Sequence, residues 1–376
     1  MTRVAIPKER RDQETRVAAS PDTVKRFIKL GLDVIIERGA GAASAIPDSA
    51  YQQAGAALGN DESETLKDAD IVLKVLRPLD EEIALMKRGA VLAAILAPGA
   101  DPDLPGKYAA AGIAAFAMEF MPRISRAQSM DVLSSQSNLA GYKAVIDAAA
   151  AYGRAMPMMM TAAGSIAPAR VMVLGVGVAG LQAIATARRL GAIVSATDVR
   201  PAVKEQVESL GGAFVMVESE ETTQAETAGG YAKEMSEDYK KAQAALVAET
   251  LKKQDIAICT ALIPGRPAPL LITEEMARSM KPGSIIVDLT VEAGGNCSLS
   301  KPGEVVDVDG VKILGYLNVP GRLASDASAL YARNLFNFIS PLIKPETGTL
   351  EIDWDDEIIT GTALTRDGAV VHPSLT

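Results

Sequence analysis

The sequence predicts an α/β protein of two domains, each a parallel sheet layered with helices. Three observations carry the prediction. Strand-like apolar runs alternate with helix-like periodic segments along most of the chain. The runs are continuous and not alternating, as strands buried on both faces of a parallel sheet must be. At 376 residues the chain exceeds one typical domain, and a length prior gives about two.

The elements follow in order. Arg3 to Ile6 is a short strand. Pro21 to Leu30 opens on proline, carries Val24, Phe27 and Ile28 at helical spacing and stops at Gly31; Val34 to Glu37 then completes a β-α-β unit. Tyr51 to Gly55, Asp70 to Leu76, Glu82 to Lys87, Val91 to Leu96 and Ile113 to Met118 continue the alternation. From Met121 to Ser137 the pattern breaks into a polar stretch, read as the crossover between domains. Leu139 to Tyr152 reads as an alanine-rich helix, with Ser137 or Asn138 available to cap it. Further strands are expected at Val171 to Leu174, Ala213 to Val217, Ile256 to Thr260, Ile285 to Leu289 and Ile313 to Leu314. Glu218 to Lys241 is charged and weakly periodic, the signature of a functional loop or of disorder. Ala324 to Ile339 carries Leu330, Leu335 and Phe338 at helical spacing and returns the chain to the first domain. Asp367-Gly368 joins Thr362 to Arg366 and Ala369 to Val371 as a terminal hairpin. The expected domains are residues 1–133 with 326–376, and residues 134–325.

Residues 171–180 read Val-Met-Val-Leu-Gly-Val-Gly-Val-Ala-Gly, and a helix pattern follows directly. Gly175, Gly177 and Gly180 give G-x-G-x-x-G between a strand and a helix, and Asp198 ends the next strand about 20 residues on. Gly175 allows the tight turn, Gly177 removes a Cβ from the path of a pyrophosphate, and Gly180 lets the helix lie on the strand. The helix N-terminus offers free N–H donors to the phosphates. Asp198 would accept the ribose hydroxyls and repel a 2′-phosphate, so NAD is expected over NADP. Arg200 is read as an adenine or ribose contact, or as a surface charge. Both domains are therefore read as Rossmann-like, with the cofactor in a cleft between them.

Composition excludes several classes. A net charge of -9 disfavours nucleic-acid binding, which needs a basic face. Cys259 and Cys297 are too few and too distant for a disulfide framework or a metal cluster, and no metal is expected. The N-terminus has charge from residue 3 and no apolar core segment, so it does not read as a signal peptide. Val171 to Ala187 contains the glycine fingerprint and falls short of the roughly 20 residues a membrane helix needs. Direct membrane insertion is not expected.

Reduction of a carbonyl leaves an alkoxide to be protonated, work most often done by histidine. This chain has one, His372, near its end and read as a surface residue. Hydride exchange between two nicotinamides needs no acid or base, only alignment of the rings and exclusion of water. Arg123, Gln128, Asp131 and Ser134 fall in the polar crossover and carry groups able to hold a carboxamide and ribose. A solvated linker would also explain them.

Several runs resemble a known family: residues 123–141 (Arg-Ile-Ser-Arg-Ala-Gln-Ser-Met-Asp-Val-Leu-Ser-Ser-Gln-Ser-Asn-Leu-Ala-Gly), 157–164 (Pro-Met-Met-Met-Thr-Ala-Ala-Gly), 226–235 (Glu-Thr-Ala-Gly-Gly-Tyr-Ala-Lys-Glu-Met) and 291–297 (Val-Glu-Ala-Gly-Gly-Asn-Cys). With the fingerprint, they are similar to the NAD(H)-binding alpha subunit of proton-translocating NAD(P)+ transhydrogenases. The resemblance implies hydride transfer between NAD(H) held here and NADP(H) on a beta subunit, of the Si-specific/Re-specific type. It implies coupling to proton movement through membrane components, including a small membrane-spanning piece of the alpha subunit. A homodimer on the cytoplasmic side of the inner membrane, attached through its partners, is implied as well. Carried over residue by residue, Arg123, Gln128, Ser129, Met130, Asp131 and Ser134 would position the nicotinamide end, with Gln128 reaching toward the facing ring. Val178 and Ala179 would pack in the glycine turn, and Asp198, Val199 and Arg200 would take the adenosine end. Gly230, Gln243 and Leu262 would line the adenine and ribose region, and Tyr231 would sit on a closing loop. The chain ends at Thr376 without membrane helices, as the separate soluble subunits do.

Two alternatives stand beside this. An alanine dehydrogenase-like enzyme would share the fold and the early Pro-Lys-Glu and Lys-Val signatures, with Arg16 and Lys74 placed for a substrate carboxylate and carbonyl. The histidine such an enzyme uses should fall near Leu92 to Pro98, where no ionisable group occurs. Arg16 and Lys74 are expected instead to be structural ion-pair partners retained by the fold, or contacts without a remaining substrate. A non-catalytic NAD sensor would need the fingerprint but not the Gln128 region or the Tyr231 loop.

Overall fold

A computed structural model describes residues 2–217, 236–263 and 265–375. The chain divides into two compact units, Met1–Gln136 with Gly321–Thr376, and Ser137–Pro320.

The first unit is built on six parallel strands, β1 (Arg3–Ile6), β2 (Asp33–Glu37), β3 (Ala57–Gly59), β4 (Ile71–Leu76), β5 (Val91–Ile95) and β6 (Ala114–Ala117), in the order β3-β2-β1-β4-β5-β6. Both faces are covered. Val4 and Ile6 pack with Phe27, Tyr331 and Phe338 on one side, while Ala5 packs with Val72, Leu92 and Tyr108 on the other. That two-sided burial is why the strands read as continuous apolar runs.

Ahead of its main sheet the second unit carries an exposed two-stranded hairpin, β7 (Met159–Thr161) and β8 (Gly164–Ile166). Its seven-stranded sheet contains β9 (Arg170–Leu174), β10 (Ile193–Thr197), β11 (Ala213–Phe214), β12 (Ile256–Cys259), β13 (Ile285–Asp288), β14 (Val305–Val308) and β15 (Val311–Leu314). The order is β11-β10-β9-β12-β13-β15-β14, parallel except for the edge strand β14. Val171 and Val173 of β9 enter one core and Met172 and Leu174 the other. Each sheet reverses direction of growth beside its first strand, between β1 and β4 and between β9 and β12, where open α/β sheets place ligands.

Three expectations are corrected. The helix expected at Leu139 runs from Val132 to Ala151, so Ser137 and Asn138 lie inside it. Asp131 is the cap, its carboxylate accepting from the Ser134 N–H at 2.9 Å and the Ser134 hydroxyl at 2.6 Å. The polar residues of the first turns are held by tertiary partners: Ser135 donates to Asn334, and Gln136 to the Ala327 carbonyl. Low helix propensity is overridden there. Glu237 to Lys241, expected to be irregular, belong to a helix, Glu237–Leu251, capped by Ser236. At the C-terminal hairpin, Thr362 closes a short helix, Glu357–Thr362, and the strands shrink to β16 (Thr365–Arg366) and β17 (Ala369–Val370). Asp367 and Gly368 do turn it, both with positive φ. Among the described residues no helix is long and apolar enough to cross a membrane.

Candidate functional site

In the second unit β9 ends at Leu174 and the chain turns at Gly175, whose φ is +97°. A Cβ on Gly175 would lie 2.7 Å from the Ala261 nitrogen, and one on Gly180 2.0 Å from the Gly175 carbonyl oxygen. Both positions exclude a side chain for internal reasons. Gly177 differs: a Cβ there would meet nothing within 4 Å among the described residues. Gly177 is the N-cap of the helix Val178–Arg189, and no side chain of the described residues caps this terminus. Among the described residues the first-turn N–H groups, including those of Val178 and Ala179, thus have no side-chain acceptor, as an anion site requires. Val178 is exposed, as is Leu262 on the loop after β12.

Asp198 follows β10 and turns its carboxylate back onto the glycine turn. Oδ2 accepts from the Val176 N–H at 2.8 Å. Arg200 takes the remainder: its N–H and Nε donate to Oδ1 at 2.9 Å each, and Nη2 donates to Oδ2 at 2.8 Å. Nη2 also donates to the Val176 carbonyl at 3.1 Å. Arg200 is therefore the ion-pair partner of Asp198. Gln243, on the Glu237–Leu251 helix, donates to Thr197 Oγ1 at 2.6 Å and accepts from the Val217 N–H at 3.1 Å, which ties that helix to the end of β10 beside Asp198. Val199 packs with Tyr239 and Val217. Gly230 and Tyr231 lie outside the described residues.

Sequence reasoning passed over two residues here. Asn296 is fully buried; its amide accepts from the Ala261 N–H at 3.0 Å and donates to the carbonyls of Ala261 and Pro269 at 2.9 and 2.7 Å. It fixes the strand end that rests on Gly175. Asp288, also fully buried, holds the loop carrying Asn296 through Thr290, the Cys297 N–H and the Ser300 hydroxyl. The signal was the quoted Val-Glu-Ala-Gly-Gly-Asn-Cys run, in which an amide between glycines and a cysteine suggests a turn. Cys259 and Cys297 are buried, and burial pushes both thiols up in pKa, so neither is a ready nucleophile.

In the first unit, Arg123, Gln128, Ser129, Met130, Asp131 and Ser134 lie along one tight turn and the helix start after it. A short 3-10 helix, Ser125–Met130, buries Ala127 and Met130 in the core and leaves Gln128 exposed. Arg123 is exposed as well. The turn is pinned from outside: Asn334 and Asn337 donate to the Ser129 carbonyl at 2.8 and 3.0 Å, and Arg126 forks onto Asp356 at 2.8 and 2.9 Å. Asp131 directs its carboxylate to Ser134, so these two act as one unit.

The cations beside β1 and β4 are occupied. Arg16, 6% exposed, binds Glu14 through Nε and Nη2 at 2.8 and 2.7 Å and Gln136 through Nη1 at 2.9 Å. Burial works against the Arg16 charge, and the Glu14 contact more than offsets it, holding its pKa above the ordinary value. Lys74, 1% exposed, donates to Glu82 at 2.6 Å and lies 3.5 Å from Glu9. Burial raises the Glu9 carboxyl against the pull of Lys74. The run at Leu92 to Leu96 is β5 and its end, apolar throughout. His372 has both ring nitrogens engaged, Nδ1 with Ser374 Oγ at 2.7 Å and Nε2 with the Gly361 carbonyl at 3.1 Å.

The second unit therefore offers an uncapped helix terminus, open space at Gly177 and a carboxylate at the next strand end, a set that fits a dinucleotide. Comparison with known proteins agrees. Residues 5–140 match the N-terminal domain and residues 144–373 the C-terminal domain of the alanine dehydrogenase/PNT family. The chain is 59% identical over 379 residues to an NAD(P) transhydrogenase subunit alpha protein of Rhodospirillum rubrum, covering 100% of this chain and 99% of the relative. It superposes on the crystal structure of a transhydrogenase from Sinorhizobium meliloti with a TM-score of 0.90 at 54% identity, covering 98% and 100% of the two chains. Alanine dehydrogenase of Bacillus subtilis is more distant, 30% identical over 295 residues, 78% of this chain and 71% of the relative. The chain belongs to the alanine dehydrogenase/PNT family, on its transhydrogenase side.

Proposed function

We propose that this chain is the NAD(H)-binding alpha component of a proton-translocating transhydrogenase. Hydride passes between NAD(H) held here and NADP(H) on a beta subunit, and a membrane-spanning partner couples the exchange to proton movement. The observation that carries the reading over a dehydrogenase is the internal pairing of Arg16 with Glu14 and of Lys74 with Glu82, which supports a structural role for both cations. Reaction at a carbonyl also lacks an imidazole, since the one histidine is bound at Gly361 and Ser374.

Bound NAD(H) supplies the hydride. The chain's residues hold and orient: the first-turn N–H groups after Gly177 take the pyrophosphate, Asp198 the adenosine ribose, and Gln243 and Leu262 border the adenine. Arg123, Gln128 and the Asp131–Ser134 pair position the nicotinamide carboxamide and ribose, and Ser129 and Met130 shape the turn that carries them. Gly230 and Tyr231, which the resemblance assigns to the nucleotide, lie outside the described residues. A homodimer at the cytoplasmic face of the inner membrane is part of the proposal. The exposed Met158, Met159, Met160 and Ile166 on the β7–β8 hairpin support a protein contact there, because a lone two-stranded hairpin has little stability of its own.

Three assays on the purified chain test the reading: NADH oxidation with an NADP(H)-binding component and an NADP analogue, NAD reduction by alanine, and NADH binding alone. Activity in the first supports it. Activity only with alanine would replace it by the dehydrogenase, and binding without either activity would leave a sensor.

A further inference from the structure

Within the first unit, the short helix Glu357–Thr362 meets the segment that carries Arg123 and Gln128 at both of its ends. At the start, Asp356 has two tasks. Its Oδ1 accepts from the Ile358 N–H at 2.7 Å, which caps the helix, and its two oxygens take the Arg126 fork at 2.8 and 2.9 Å. At the other end Gly361 lies against Pro122, where a Cβ would sit 3.5 Å from Pro122 Cδ. His372 secures that end: Nε2 donates to the Gly361 carbonyl at 3.1 Å, and the ring lies on Phe120 with centroids 4.7 Å apart. Between the ends, Ile358 and Ile359 enter the same core as Ala127 and Met130 of the turn. The chain is thus held just before Arg123 and again at Arg126, while the side chains of Arg123 and Gln128 stay exposed.

We propose that the helix Glu357–Thr362 is a clamp on the nicotinamide turn, with Asp356 and His372 as positioning residues for hydride transfer. This rests on the reading of Arg123 and Gln128 as the residues at the nicotinamide. The physical reason is alignment, because a misplacement of about 1 Å can cost about 100-fold in rate. Loosening the clamp frees the carboxamide contacts to wander. The pyrophosphate and adenosine contacts belong to the second unit and keep their own supports, so transfer falls while affinity holds. The one histidine of the chain then holds a backbone carbonyl and an aromatic ring, and passes no proton.

The test is single-turnover transfer at saturating NADH with an NADP(H)-binding transhydrogenase component, beside NADH binding by equilibrium dialysis and thermal melts. Asp356→Asn keeps the cap, since an asparagine oxygen accepts from the Ile358 N–H, and loses the fork. Loss of an exposed ion pair predicts transfer slower by about two- to fivefold, with NADH affinity held within about twofold. Arg126→Ala should do the same, and the double variant should be no slower than either single one. His372→Ala should slow transfer by a similar factor. His372→Gln, which keeps a donor for Gly361 and cannot titrate, should recover part of that loss. Wild-type transfer in Asp356→Asn or in His372→Ala would overturn the proposal. Losses that multiply in the double variant would overturn it too, making Arg126 a contact in its own right, as would a fall in NADH affinity with transfer at saturation intact. If Gln128→Asn transfers at the wild-type rate, the underlying reading of the turn fails instead. Should His372→Ala lose its fold, the Asp356→Asn and Arg126→Ala cycle decides the matter alone.

Discussion

Asn334 Nδ2 donates to the carbonyl of Ser129 at 2.8 Å, across 205 residues of sequence, while Asn334 Oδ1 accepts the Ser135 hydroxyl at 2.7 Å. One amide thereby grips the turn bearing Gln128 from both sides of its exit. Asn334→Ala should cost about 1 to 3 kcal/mol for the partners left unpaired. It should also slow hydride transfer at saturating nucleotide, measured in single turnovers. Asn337→Ala, which removes one bond from an exposed amide, should do less of both. Equal transfer rates in wild type and Asn334→Ala would disconnect this anchor from the reaction.

Gln128 is exposed on a turn whose backbone is otherwise held. Gln128→Asn shortens the side chain by one methylene and should slow transfer at saturation far more than it weakens NADH binding. A fall in binding with unchanged transfer would show that its role is misassigned.

The three glycines separate fold from function. Gly180→Ala drives a Cβ to 2.0 Å from the Gly175 oxygen and should destabilise the chain by about 3 kcal/mol or more. Gly177→Ala meets nothing within 4 Å, so the melting temperature should hold while NADH affinity falls. Thermal melts with and without NADH distinguish them; a Gly177→Ala chain that binds NADH normally would remove the pyrophosphate from that face.

Glu9 is buried beside Lys74 and Glu82 with its carboxyl raised above the ordinary 4.5. A group that holds its proton more tightly when folded stabilises fully below its unfolded pKa, and that contribution is lost as pH rises through the folded pKa. Glu9→Gln stays neutral and can still accept from the Val75 N–H. Its melting temperature should depend less on pH above about 4.5 than that of the wild type. Parallel pH profiles would mean that Glu9 is ionised in the folded chain.

Much of this was legible in the sequence because it is local. Strand runs such as Val171 to Leu174 and the Gly175, Gly177, Gly180 spacing are short-range signals, and each sits where the pattern placed it. Failures came where a tertiary partner decided the outcome. The Val132–Ala151 helix begins seven residues before the expected Leu139 because Asn334 and Ala327, far away in sequence, satisfy Ser135 and Gln136. Edge strand β14, Val305–Val308, was not among the expected strands; it is four residues long and pairs on one side only. The Asp198–Arg200 fork was invisible for another reason. Spacing brings both residues to one strand end but says nothing of whether they turn toward each other or toward a ligand. Asn296 lay inside the quoted Val-Glu-Ala-Gly-Gly-Asn-Cys run and Asp288 just before it, but which backbone groups they hold is decided by tertiary contacts that the run does not encode.

The central claim is that hydride moves directly from one nicotinamide to another with no proton handled by this chain. Deuterium at the transferable position of NADH tests it most directly, followed into an NADP analogue bound to an NADP(H)-binding transhydrogenase component in ordinary water. Direct transfer predicts that the label arrives on the second nicotinamide without loss and that none enters solvent. Label washed into water, or reduced product carrying solvent hydrogen at that carbon, would contradict it.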